Sequence, residues 1–142
     1  MPFNREALLA RRNFVYDTEY VSRAFVAGQH LAPAVNALRL FRSLQHAFYV
    51  EGLDTTHEAV LAEVVARELQ EQGQPCSDDQ VLAAMWLPDV HATLAEHFAQ
   101  VRSWGLASFP QLLHAHTKGT TVALAGFAPA DVIVQTVSRL DA

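Results

Sequence analysis

Few residues in this chain of 142 have types and spacings that suit chemistry. Pro110, directly behind Phe109, comes first. A cis Phe109–Pro110 bond would hold the Phe109 backbone open to pair with an extended substrate. A trans proline would merely open a strand, where its missing N–H costs nothing. Cys76 is the single cysteine, so neither an intrachain disulfide nor a cysteine-rich zinc site can form. A reactive thiolate needs a helix N-terminus or a nearby cation. Cys76 does precede a helix-capping Ser77, but Asp78 and Asp79 stand beside it and raise a thiol pKa. An incidental cysteine in a turn is the reading adopted. His114 and His116 share one face of a strand, a spacing able to hold a metal. No further ligand is placed beside them, and His91 and His97, six positions apart, do not share a helix face. No metal site is expected. Tyr49, Glu51 and Asp54 cluster at a helix end, where they either line a cleft above the proline loop or cap and solvate the helix. Ser108 has no histidine or acid at a readable spacing, which leaves a serine nucleophile without support.

The elements that must position these groups follow from periodicity. Residues 105–131 (GLASFPQLLHAHTKGTTVALAGFAPAD) predict a helix stop, a loop, a strand opened by Pro110, a hairpin, a return strand and a helix begun by Pro129. Leu112, His114 and His116 alternate with Gln111, Leu113 and Ala115, the period of a strand. Lys118-Gly119 suits the turn, since glycine reaches positive φ cheaply. Thr121, Val122 and Leu124 return, Gly126 ends the strand, and Asp131 faces the positive end of the last helix.

Everything upstream predicts helices, about six of them. Asn4 caps the first, with Leu8 and Leu9 turned inward, and Asn13-Phe14-Val15-Tyr16 connects it onward. Asp17 or Thr18 caps a second, carrying Val21, Phe25 and Val26 and fading at Gly28. From Pro33 to Val50 a stripe of Ala34, Leu38, Phe41, Leu44 and Phe48 predicts an amphipathic helix stopped at Gly52. Thr55 with Glu58, and Ser77 with Gln80, read as capping boxes of the next two helices. The core faces would be Val60, Leu61, Val64, Val65 and Leu69, then Val81, Leu82, Met85 and Trp86. Pro88 ends the short helix or starts the next, which carries Val90, Leu94, Phe98 and Val101.

An apolar fraction of 51% and the length fit one ordinary domain with a real core. Net charge is −5 with no basic cluster, which argues against a nucleic-acid surface. The longest apolar runs are too short to span a membrane, and no signal peptide is visible. A reduced, cytoplasmic compartment is expected.

Gly105-Leu106-Ala107-Ser108-Phe109-Pro110, two strands, Gly126-Phe127 and a final helix resemble the C-terminal half of the thioredoxin fold, in the form found in DsbA-like thiol-disulfide oxidoreductases. Upstream, Tyr16-Asp17-Thr18-Glu19 and Phe48-Tyr49-Val50-Glu51-Gly52-Leu53-Asp54-Thr55-Thr56 resemble the helical insertion of cytoplasmic DsbA-like and chromene-carboxylate-isomerase-like members. The resemblance implies an α/β, here mostly α, incomplete thioredoxin-like fold. It comprises a helical insertion over 1–104 and a ββα half over 105–142. It further implies a cis Phe109–Pro110 bond facing a redox dithiol, substrate contacts at Ser108, Phe109 and Pro110, and a thiol- or disulfide-containing protein as partner. One departure dominates: no Cys-x-x-Cys occurs, nor the first strand and helix that would carry it.

The chain is therefore expected to be inactive alone, as an N-terminally truncated version of a longer protein or as a relative that pairs through its edge. Two further readings follow. Chromene-carboxylate isomerases and kappa-type glutathione transferases share the insertion and the proline loop, with glutathione as the implied cofactor. A non-enzymatic helical module would instead form a homodimer through the exposed hairpin edge.

Overall fold

The computed structural model describes residues 3–11, 15, 17–106, 108–116 and 119–140, without the side chain of His116. Tyr16, Asn13 and Phe14 of the connector and Lys118 of the hairpin turn lie outside the described residues. The chain divides into two compact units, Met1–Ala95 and Glu96–Ala142.

The first unit is helical: α1 (Arg5–Ala10), α2 (Glu19–Leu31), α3 (Ala37–Tyr49), α4 (Glu58–Glu71), α5 (Asp78–Met85) and the opening turns of α6 (Pro88–Ser103). Helix α4 is its centre and packs against α2, α3 and α5. Leu61, Val64, Val65 and Leu69 of α4 meet Ala24 and Ala27 of α2, Leu40 and Leu44 of α3, and Val81 and Met85 of α5 in one buried cluster. Burial of such side chains contributes about 1.5–3 kcal/mol each, which is what holds these short helices together.

Several local expectations hold. Asn4 Oδ1 accepts from Ala7 N at 3.0 Å and caps α1. Ser77 and Gln80 form the full reciprocal capping box of α5. Others are corrected. Leu9 is exposed rather than inward. Gly28 does not end α2: it is buried inside the helix, where an added Cβ would stand 2.8 Å from Leu40 Cδ2 and 3.1 Å from Val65 Cγ1. Helix α3 starts at the Asn36 cap, not at Pro33, and buries Leu40, Leu44 and Ala47. Leu38 and Phe41 of the expected stripe are exposed. The Thr55–Glu58 box does not form; His57 occupies the cap position of α4. Instead Asp54 Oδ1 accepts from Thr56 N at 3.0 Å and from Thr56 Oγ1 at 2.6 Å, an Asx turn that places Thr55 inward. Trp86 and Phe98 are exposed as well.

The second unit holds the end of α6, strands β1 (Gln111–His116) and β2 (Gly119–Ala125), and α7 (Ala130–Leu140). The strands pair antiparallel as a two-stranded sheet. Leu112 faces Leu124 and Leu113 faces Val122, so Ala123 is an extra residue in β2 that no periodicity argument foresaw. Gly126 ends β2 at φ 85°. The Pro129 carbonyl accepts from Ile133 N at 3.1 Å, which makes Pro129 the cap rather than the first residue of α7. No described residue of this unit is buried. Among the described residues no helix is long and apolar enough to cross a membrane.

Candidate functional site

The proline loop is built by what flanks it. Gly105 leaves α6 at φ 67°, β1 begins at Gln111, and the Phe109–Pro110 peptide between them is cis. The Pro110 carbonyl is taken by Gly126 N at 2.8 Å, tying the loop to the end of β2. Among the described residues nothing pairs with the main-chain N–H or C=O of Phe109, and its ring is 78% exposed. An open main chain at a strand entrance can accept an extended peptide by adding a strand, as sheet edges do.

Gln111 Nε2 donates to Ser108 Oγ at 3.1 Å, bracing the loop across the proline. The other side of that amide, Oε1, is buried without a partner among the described residues. No sequence signal marked Gln111, because a lone glutamine at a strand start carries no pattern. Beside it, Pro110, Leu112, Leu124, Phe127 and Ile133 line an open, apolar hollow of ≈ 320 Å³. Unpaired backbone, an exposed aromatic ring and an apolar hollow together suit the capture of a peptide main chain and one apolar side chain.

The remaining candidates do not join this loop. Cys76 lies half-buried against the helical core. Burial, and then the Asp78 carboxylate, push its thiol pKa up, away from reactivity. His114 and His116 sit at alternate positions of β1, opposite Thr121 and Gly119. Among the described residues no three His, Cys, Asp or Glu side chains come together to hold a metal ion. Tyr49, Glu51 and Asp54 do not act as one cluster. Tyr49 lines an apolar groove between α2 and α3, Glu51 lines a polar cleft between α3 and α4, and Asp54 holds its own turn.

In the polar cleft the charges neutralise one another. Arg39 reaches Glu68 at 3.1 Å, Arg67 reaches Glu51 at 3.4 Å, and His46 Nδ1 lies 3.1 Å from Glu51 Oε1. Arg23, 5% exposed, is a buried cation that sequence reasoning missed. It pairs with Glu19 and stacks 4.4 Å from the Trp86 ring, joining α2 to α5.

No protein-family model matches the sequence, and no curated protein matches it. Solved structures do. A crystal structure of a candidate protein disulfide isomerase from Nitrosomonas europaea superposes with a TM-score of 0.80 at 24% identity, covering 97% of this chain and 64% of that one. The cytosolic disulfide reductase DsbM from Pseudomonas aeruginosa gives a TM-score of 0.71 at 21% identity, covering 99% of this chain and 68% of that one. The chain thus has part of the fold of these proteins and spans about two thirds of their length.

Proposed function

We propose that the chain is a relative of the DsbA-like thiol-disulfide oxidoreductases, contributing the helical insertion (1–104) and the ββα half (105–142) of that fold. The fold likeness, over nearly all of this chain, to two proteins named for disulfide chemistry carries the reading. In this proposal Ser108, Phe109 and Pro110 bind the substrate, a thiol- or disulfide-containing protein of a reduced, cytoplasmic compartment. The peptide lies along the open Phe109 main chain and sets one apolar side chain in the hollow beside Pro110.

Thiol–disulfide exchange needs a thiolate to attack one sulfur of a disulfide. A new mixed S–S bond forms, the old one breaks and the second sulfur departs as thiolate. A second cysteine must then resolve the mixed disulfide. Cys76 is the single cysteine, so this chain has an unresolved first step at most, and the raised thiol pKa suppresses even that. In an insulin-reduction assay with dithiothreitol the chain should not accelerate turbidity. Catalysed turnover would overturn the claim that its part is substrate positioning.

A second reading has its own observation. Among its described residues the second unit buries none and its sheet has two strands, which leaves apolar side chains and sheet edges for a partner. As a non-enzymatic module the chain would pair with a second copy through the hairpin edge. Sedimentation equilibrium showing a dimer that a proline at Val122 disperses supports this reading; a monomer throughout rejects it.

A further inference from the structure

The polar cleft between α3 and α4 encloses ≈ 470 Å³ and belongs wholly to the first unit, so it owes nothing to the disulfide reading. Among the described residues three glutamates and three arginines line it, but their pairing is uneven. Arg39 Nη2 serves two carboxylates, Glu68 at 3.1 Å and Glu71 at 3.5 Å. Arg67 Nη2 and His46 Nδ1 meet the third, Glu51, at 3.4 Å and 3.1 Å. Every lining carboxylate is thus matched, and Arg42 is left over. Among the described residues its guanidinium has no ion pair and no hydrogen bond.

Arg39, one turn before Arg42, keeps donors to spare. Among the described residues it spends a single nitrogen of its guanidinium fork on carboxylates, which leaves Nε and Nη1 for another acceptor. It is also held in place. Its partner Glu68 is 8% exposed, and Gln72 Nε2 donates to Glu68 Oε1 at 2.7 Å. Gln72 Oε1 in turn accepts from Asn36 N at 2.7 Å, at the cap of α3. Arg39 and Arg42 share one face of α3 at a spacing of three, where like charges repel. An anion set between them relieves that repulsion and takes up the unpaired charge.

We propose that this cleft binds a phosphate group, free or carried by a small molecule, gripped from α3 by Arg42 and by the spare edge of Arg39. Guanidinium forks match phosphate oxygens in pairs. A tetrahedral dianion has oxygens enough for two forks at once, whereas a monocarboxylate is used up by one. Glu51 and Glu71, on the same cleft, oppose the dianion and hold the expected affinity to about millimolar.

Inorganic phosphate titrated into the full chain, with sodium chloride holding ionic strength constant, tests the proposal by NMR of amide and arginine Nε–H signals. Saturable shifts should appear at Arg39 and Arg42. Arg42→Gln, at an exposed position of α3, should bind phosphate about fivefold more weakly, and Arg42→Lys, which keeps the charge and loses the fork, should also weaken it. Arg5→Gln, on the exposed side of α1, should leave the affinity unchanged. Acetate should bind at least about fivefold more weakly than phosphate. Glucose 6-phosphate distinguishes the two sources: tighter binding than phosphate supports an ester as the guest, and equal or weaker binding supports the free ion. Shifts that never saturate, undiminished affinity in Arg42→Gln, or acetate binding as well as phosphate would overturn the proposal.

Discussion

At the scale of single residues, Asp54 and Cys76 carry pKa values displaced in opposite directions. Burial raises the Asp54 pKa, but the Thr56 hydroxyl and amide, with His57 and Arg11, outweigh it and leave the carboxyl below its ordinary 3.8. A carboxylate with a depressed folded pKa stabilises the fold above the unfolded value, and that contribution is lost as pH falls through the folded one. Asp54→Asn keeps an acceptor for the turn and removes the charge. Its stability deficit against the parent should shrink as pH is lowered from about 5 to about 2 in chemical-denaturation titrations. A deficit unchanged with pH would show that the charge contributes nothing. Cys76 behaves oppositely: burial and Asp78 raise its pKa, favouring the neutral thiol. A thiol reagent should therefore modify Cys76 more slowly in the native chain than in the unfolded chain at the same pH. Faster native modification would mark an activated thiolate and contradict the positioning role.

At the scale of elements, what could be read from the sequence depended on whether the partners were local. The Ser77–Gln80 box was legible because both halves lie within one turn and nothing distant competes. The same pattern at Thr55–Glu58 failed because Asp54 captured Thr56, which turned Thr55 into the interior. Helix α3 carries two apolar stripes. The expected one, with Ala34, Leu38, Phe41, Leu44 and Phe48, holds at Leu44 alone among the buried residues. The structure buries Leu40 and Ala47 with it, leaving Phe41 and Phe48 to the groove. Which stripe faces α4 is settled by tertiary contact, and periodicity does not contain it. Gly28 is of the same kind, a glycine kept for close approach of α2 to Leu40 and Val65. Gly28→Val should overpack that contact and cost about 2–3 kcal/mol in denaturant unfolding, against little change for Gly73→Ala's neighbour-free site beyond its backbone strain. A neutral Gly28→Val would mean that α2 is not seated there.

At the scale of the whole molecule, buried residues and the proline loop belong to different units. Among the described residues every buried side chain lies at or before Leu94, and the loop, the hairpin and α7 have none. Local stability follows buried contacts, so amides of α4 should exchange with solvent far more slowly than those of β1, β2 and α7. Equal protection would show that the second unit has a covered face. The proline loop itself was legible through Pro110 and the strands after it. The Gln111–Ser108 brace was not, since it depends on side-chain placement.

The measurement nearest the central claim is an amide NMR titration of the chain with an extended peptide whose cysteine is S-methylated, so that only binding is read. The account predicts saturable shifts at Ser108, Phe109 and Gln111, weakened about fivefold by Phe109→Ala, with no covalent change at Cys76. Absence of saturable shifts at these residues, or peptide binding confined to the α2–α3 groove, would contradict it.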